Sequence, residues 1–140
     1  MIVHCNFEEL SALKVGACQV LDGYAPEPGM IAAPPEEREQ VAALMLRLAG
    51  DFSVTTLSEQ RSLLHAVAII VGILRIEMES VVVAHHPADE FAVSAYFDFA
   101  HAFSVQARLY ELGLEMEALV ELVTGGPVTE ELARDFVFPD

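Results

Sequence analysis

The chain predicts an all-α fold, a single-domain bundle of about five helices built on a long central antiparallel helical hairpin. Three observations predict it. Residues 57–84 carry one narrow stripe of polar or small residues, Arg61, His65, Ala68, Gly72, Arg75 and Glu79, at steps of mostly three or four on an otherwise apolar run. A second apolar run, residues 88–112, repeats the pattern with Ser94, Asp98, His101, Val105, Arg108 and Glu111. Only His85, His86 and Pro87 separate the two runs, and so short a turn makes consecutive helices pack antiparallel.

The elements follow in order. Met1 to Cys5 is a short β-prone run. Asn6 followed by Glu9 is a capping box that opens a helix from Phe7 to about Asp22, with Phe7, Leu10, Leu13, Ala17, Val20 and Leu21 on its apolar face and Gly23 at its end. The stretch Tyr24 to Pro35 holds four prolines and a glycine, which forbids regular helix and reads as a crossing loop. Pro35 then suits a helical first turn, Glu36, Glu37 and Glu39 complement the positive end of the helix dipole, and a second helix runs to Ala49, burying Val41, Leu44, Met45 and Leu48.

Asp51 to Thr55 is a short extended piece, after which Thr56 and Glu59 form a second cap that launches the central helix. Val67 to Val71 and Val81 to Val83 are β-branched and argue for strand, but the helical stripe spans the whole segment and decides for helix. Gly113 is read as the end of the second central helix. Leu114 to Thr124 makes a further helix with Leu114, Ala118, Leu119, Leu122 and Val123 inside, stopped by Gly125, Gly126 and Pro127. A last short helix starts at Thr129, and the tail Phe136 to Phe138 packs on the bundle or joins Met1 to Cys5 in a minor strand pair from the termini.

The antiparallel register brings together residues whose numbers have a constant sum. It sets Arg61 against Glu111, Arg75 against Asp98, Glu79 against Ser94, His65 against Arg108 and Gly72 against His101, so that opposite charges meet and the glycine makes room for an imidazole.

Composition narrows the function classes. Of 140 residues, 54% are hydrophobic and 21% charged, more apolar than the average globular domain and suggestive of an oligomer. The formal net charge of −15 disfavours nucleic acid and anionic membrane as partners. The longest uncharged run, residues 62–74, is too short to span a bilayer, and the N-terminus lacks the basic and apolar regions of a signal peptide, so we expect a cytoplasmic protein. Cys5 and Cys18 read as buried free thiols.

Candidate chemistry is sparse. Asp98 and His101 stand one helical turn apart, a spacing that lets two ligands grip an ion from one face, with Glu79 or His65 as a third. Carboxylate-bridged di-metal bundles use such a pair twice; here it occurs once, and an ion pair between Arg75 and Asp98 already satisfies the carboxylate, so no metal is expected. His85 and His86 suit the negative end of a helix. No nucleophile elbow, phosphate-binding glycine loop or H-E-x-x-H motif occurs, and the sequence identifies neither catalytic residues nor a cofactor. The leading expectation is a homodimeric helical scaffold or interaction module. The alternative is a small enzyme or metal- or ligand-binding protein with its site in the polar seam of His65, Arg75, Glu79, Asp98, His101 and Arg108, capped by the loop 24–35.

Overall fold

Local hydrogen bonds start each long helix where the sequence supplies a cap. In the computed structural model, which describes residues 1–24, 32–86 and 88–139, Asn6 Oδ1 accepts the backbone N–H of Glu9 at 2.8 Å and Glu9 Oε1 accepts that of Asn6 at 3.0 Å, opening α1 at Phe7–Leu21. Pro35 occupies the first turn of α2, Pro35–Met45. Thr56 Oγ1 accepts from Glu59 N at 3.1 Å and opens α3, Leu57–Ala84. Asp89 caps α4, Glu90–Thr124, through Phe91 N at 2.9 Å, and Thr129 caps α5, Glu130–Asp135, through Leu132 N.

The all-α bundle around a central hairpin is therefore the architecture of the chain, with α3 and α4 packed most extensively. Its course differs from the sequence reading at Gly113, where α4 continues without a break to Thr124 and ends at Gly125 in the left-handed conformation, φ 75°. Gly113 is a packing residue: Gln60 Nε2 donates to Leu109 O at 2.7 Å, and a β-carbon on Gly113 would stand 2.7 Å from Gln60 Cδ. The close approach of α3 outweighs the intrinsic cost of glycine inside a helix, about 1 kcal/mol.

That continuity reverses the face expected for 114–124. The inner stripe Ala102, Val105 and Leu109 carries on through Gly113, Met116 and Val120, leaving Leu114, Ala118, Leu119, Leu122 and Val123 outside. On α1, Phe7 is exposed and Glu9 takes a buried position instead. α2 ends at Met45, earlier than expected, although Leu48 in the following turns is still buried. Gly72 has open space around it, so it is not the close-approach glycine; Gly16 is, since a β-carbon there would meet Leu74 Cγ at 3.1 Å and collide with Ile70.

The minor sheet has two strands. β1, Ile2–Val3, runs antiparallel to β2, Phe52–Ser53, with Ile2 opposite Ser53 and Val3 opposite Phe52. The N-terminal strand thus pairs with the segment before α3 and not with the tail, which bonds one step further on, Phe138 N donating to Thr55 O at 2.7 Å. Leu13, Leu44, Leu48, Leu57, Ile70, Leu109 and Met116 are fully buried together where α1 and α2 meet the lower half of the hairpin, residues 57–74 of α3 and 102–124 of α4. Among the described residues no helix is long and apolar enough to cross a membrane.

Candidate functional site

The hairpin register holds, but the faces are rotated, and the rotation disperses the expected seam. Gln60 meets Leu109 and Gly113, as antiparallel rods require. Arg75, however, turns to its own helix, with Nε 3.2 Å from Glu79 Oε1, and both side chains are at least half exposed. The expected pairing of Arg75 with Asp98 is not made, nor that of Arg61 with Glu111, because the polar stripe of α3 lies outside its contact with α4. His65 is exposed, 3.9 Å from Glu37 Oε1. His101 stacks on Phe97, ring centroids 6.3 Å apart.

Asp98 lies in a cleft of about 180 Å³ with Gln19, Glu77, Ser94 and Phe91. Burial pushes its carboxyl above the usual range, and His101, one turn on, pulls the other way. Among the described residues no three His, Cys, Asp or Glu side chains gather closely enough to hold a metal, so Asp98 and His101 find no third ligand in Glu79 or His65. His86 does not cap α3; its Nδ1 accepts from Ala88 N at 3.1 Å and shapes the turn, while the last α3 bond comes from His85 N to Val81 O. The proposed cap over the seam falls mainly on residues 25–31, outside the described residues; Tyr24, just before them, donates its hydroxyl to Glu77.

Arg108 points away from His65, toward α1. Its guanidinium grips both oxygens of buried Glu9, at 3.2 and 3.0 Å, and donates to His4 O at 2.7 Å. Burial would raise the Glu9 carboxyl, but hydrogen bonds from Arg108 and the Asn6 backbone outweigh it and hold it below the usual range. Cys5 sits beside this pair. Burial, with Glu9 and Asp51 adding to it, pushes its thiol up to about 11, so at neutral pH it is a protonated packing group and not a nucleophile. The pair ties α1 and the N-terminal strand to α4, a structural role.

The more informative surface lies on the other side of α4. Val93, Tyr96, Ala100, Phe103, Ala107, Tyr110 and Leu114 succeed one another at three- and four-residue steps, a heptad stripe that carries no charge. Tyr96, Phe103, Tyr110 and Leu114 are 51–57% exposed. Beside the stripe, α3 and α4 enclose an open apolar groove of about 590 Å³ lined by Leu64, Ala68, Phe103, Ala107 and Tyr110, with Arg61 and His65 at its rim. Of the six residues singled out from sequence, only His65 reaches it. The stripe is legible in the sequence as aromatic residues at heptad spacing, whereas the polar positions of the same helix fall on a different face.

Comparison with protein-family models, curated proteins and solved structures finds no match to this chain.

Proposed function

We propose that the protein is a cytoplasmic helical scaffold or interaction module that works as a homodimer, with the stripe on α4 and the adjoining groove as its docking face. One observation carries this reading: a chain of net charge −15 leaves seven successive heptad positions of its longest helix uncharged and mostly exposed. Contiguous apolar surface of that kind is costly to leave in water and marks a contact site. Acidity speaks against nucleic acid or anionic membrane as the partner.

Size-exclusion chromatography with light scattering tests it. The chain elutes as a dimer at micromolar concentration, and Phe103→Glu with Tyr110→Glu produces a monomer that still melts cooperatively, since both residues are exposed. A wild-type monomer at that concentration overturns the reading.

A second reading takes the groove as a ligand site, favoured by its volume and by the Arg61 guanidinium in its lining. Its ligand is a small molecule with an apolar body and an anionic end. A melting temperature unmoved by aromatic and fatty carboxylates removes this alternative.

A further inference from the structure

We propose that two copies pair by an antiparallel crossing of α4 on α4, with each ring of the stripe seated against an aliphatic side chain, Val93, Ala100 or Ala107, of the other copy. The inference rests on the homodimer reading and specifies its interface. Along the exposed stripe, large and small residues alternate: Tyr96, Ala100, Phe103, Ala107, Tyr110. A parallel twofold pair sets every residue against itself, ring on ring and alanine on alanine, which makes clashes and voids in successive layers. An antiparallel pair in the right register sets every ring on an aliphatic side chain. A twofold interface is also self-complementary by construction, so one alternating stripe suffices for both partners.

Two antiparallel registers satisfy this steric rule, and charge separates them. In the first, Val93 lies opposite Tyr110, Tyr96 opposite Ala107 and Ala100 opposite Phe103. Arg61, which shares the groove with Tyr110 and has no carboxylate within 4.0 Å among the described residues, then reaches the Val93 layer of the second copy. Exposed Glu90 lies one turn away there and has no cation within 4.0 Å among the described residues, so Arg61 meets a carboxylate across the interface. In the second register, with Ala100 opposite Tyr110, Arg61 faces the Phe97–His101 turn, whose carboxylate, Asp98, is turned into the cleft with Gln19 and Ser94. A parallel pair would bring Arg61 and His65 against their own copies. The first register is therefore the one proposed.

The size is adequate. From Val93 to Leu114 the stripe is roughly 30 Å long at 1.5 Å per residue. With the α3 side of the groove, about 20 Å across for two packed helices, it offers roughly 600 Å² per copy, near the ~800 Å² per partner of a standard stable interface. The pairing lays the upper, poorly buried part of each hairpin on the lower part of the other, with Tyr96 of one copy entering the groove of its mate.

Disulfide trapping and spin labelling of the full chain, with Cys5→Ala and Cys18→Ala, test the arrangement. Val93→Cys alone gives no covalent dimer, whereas mixed with Tyr110→Cys it does. Spin labels at Val93→Cys are about 25 Å apart along the axis, the length of 17 helical residues. Arg61→Glu raises the dimer dissociation constant about tenfold, and adding Glu90→Arg to the same chain restores it; both positions are exposed, so neither change threatens the fold. Self-disulfides of Val93→Cys, or a loss at Arg61→Glu that Glu90→Arg does not repair, overturn the pairing while leaving the homodimer intact. A monomeric wild-type chain overturns the homodimer reading and this one with it.

Discussion

The lower and upper halves of the central hairpin are made of similar residues and end up in opposite situations. On α3, nine residues from Leu57 to Leu74 are buried, and none is buried after Leu74. On α4, Ala92 is the sole buried residue before Ala102, after which Val105, Leu109, Gly113, Met116 and Val120 follow. Yet the upper half is just as apolar, with Val83 88% and Phe91 60% exposed. The difference teaches that hydrophobic content does not decide burial here. α1 and α2 bury the core of the lower half, whereas against the upper half α1 leaves the open cleft that Val15 and Gln19 share with Glu77, Phe91 and Asp98.

The largest break in this comparison comes from a fully buried residue of the lower half. Leu109→Ala costs about 3 kcal/mol of unfolding free energy, because it removes transfer energy and leaves a cavity. Val83→Ala, in the upper half, changes it by less than about 0.5 kcal/mol. Urea denaturation at neutral pH compares the two directly.

Next in size is the clamp between α1 and α4. Arg108→Ala leaves the buried Glu9 carboxylate without its charged partner and costs roughly 2 kcal/mol at pH 7. The folded Glu9 pKa lies below its ordinary value of 4.5, so the clamp's contribution is present above that pH and is lost as pH falls through the folded value. The stability gap between wild type and Arg108→Ala therefore narrows in acid. A gap that stays constant from pH 7 to pH 3 would show that Glu9 is not the group involved.

Two glycines sharpen the contrast further. Gly16→Ala, facing Ile70 and Leu74 of the lower half, costs on the order of 1–3 kcal/mol through overpacking. Gly72→Ala, in open space on α3, gains up to about 1 kcal/mol through helix propensity. Thermal melts of opposite sign are the expected outcome.

The smallest effect belongs to the upper half. Burial raises the Asp98 pKa, so the stability its neutral form provides is complete below the unfolded value of 3.8 and disappears as pH rises through the folded one. Asp98→Asn accordingly stabilises the protein at neutral pH and has no such advantage in acid. A destabilised Asp98→Asn at pH 7 would reveal a partner for the carboxylate.

Much of the bundle could be read from the chain because helix starts are local. Asn6 with Glu9, Thr56 with Glu59, and Thr129 each act within one turn, and a reader needs no distant residue to find them. The candidate site was harder. Arg75 and Asp98 stand at matching heights on antiparallel rods, but height says nothing of azimuth, and a rotation of α3 sends Arg75 to Glu79 instead. Arg108 was expected to face His65, and its true partner, Glu9, is 99 residues away on a helix whose position no spacing within the hairpin reveals.

By itself, then, the amino-acid sequence determined that α3 and α4 are helices, where α3 begins and ends, and that the two run antiparallel, since caps, periodicity and a short turn are properties of neighbouring residues. Only the tertiary structure decided which side of each helix is inner. α4 is apolar around most of its circumference, so its own pattern leaves the choice degenerate. The packing of α1 against Arg108 and of Gln60 against Gly113 turns one apolar side inward and leaves the Tyr96–Phe103–Tyr110 side in water.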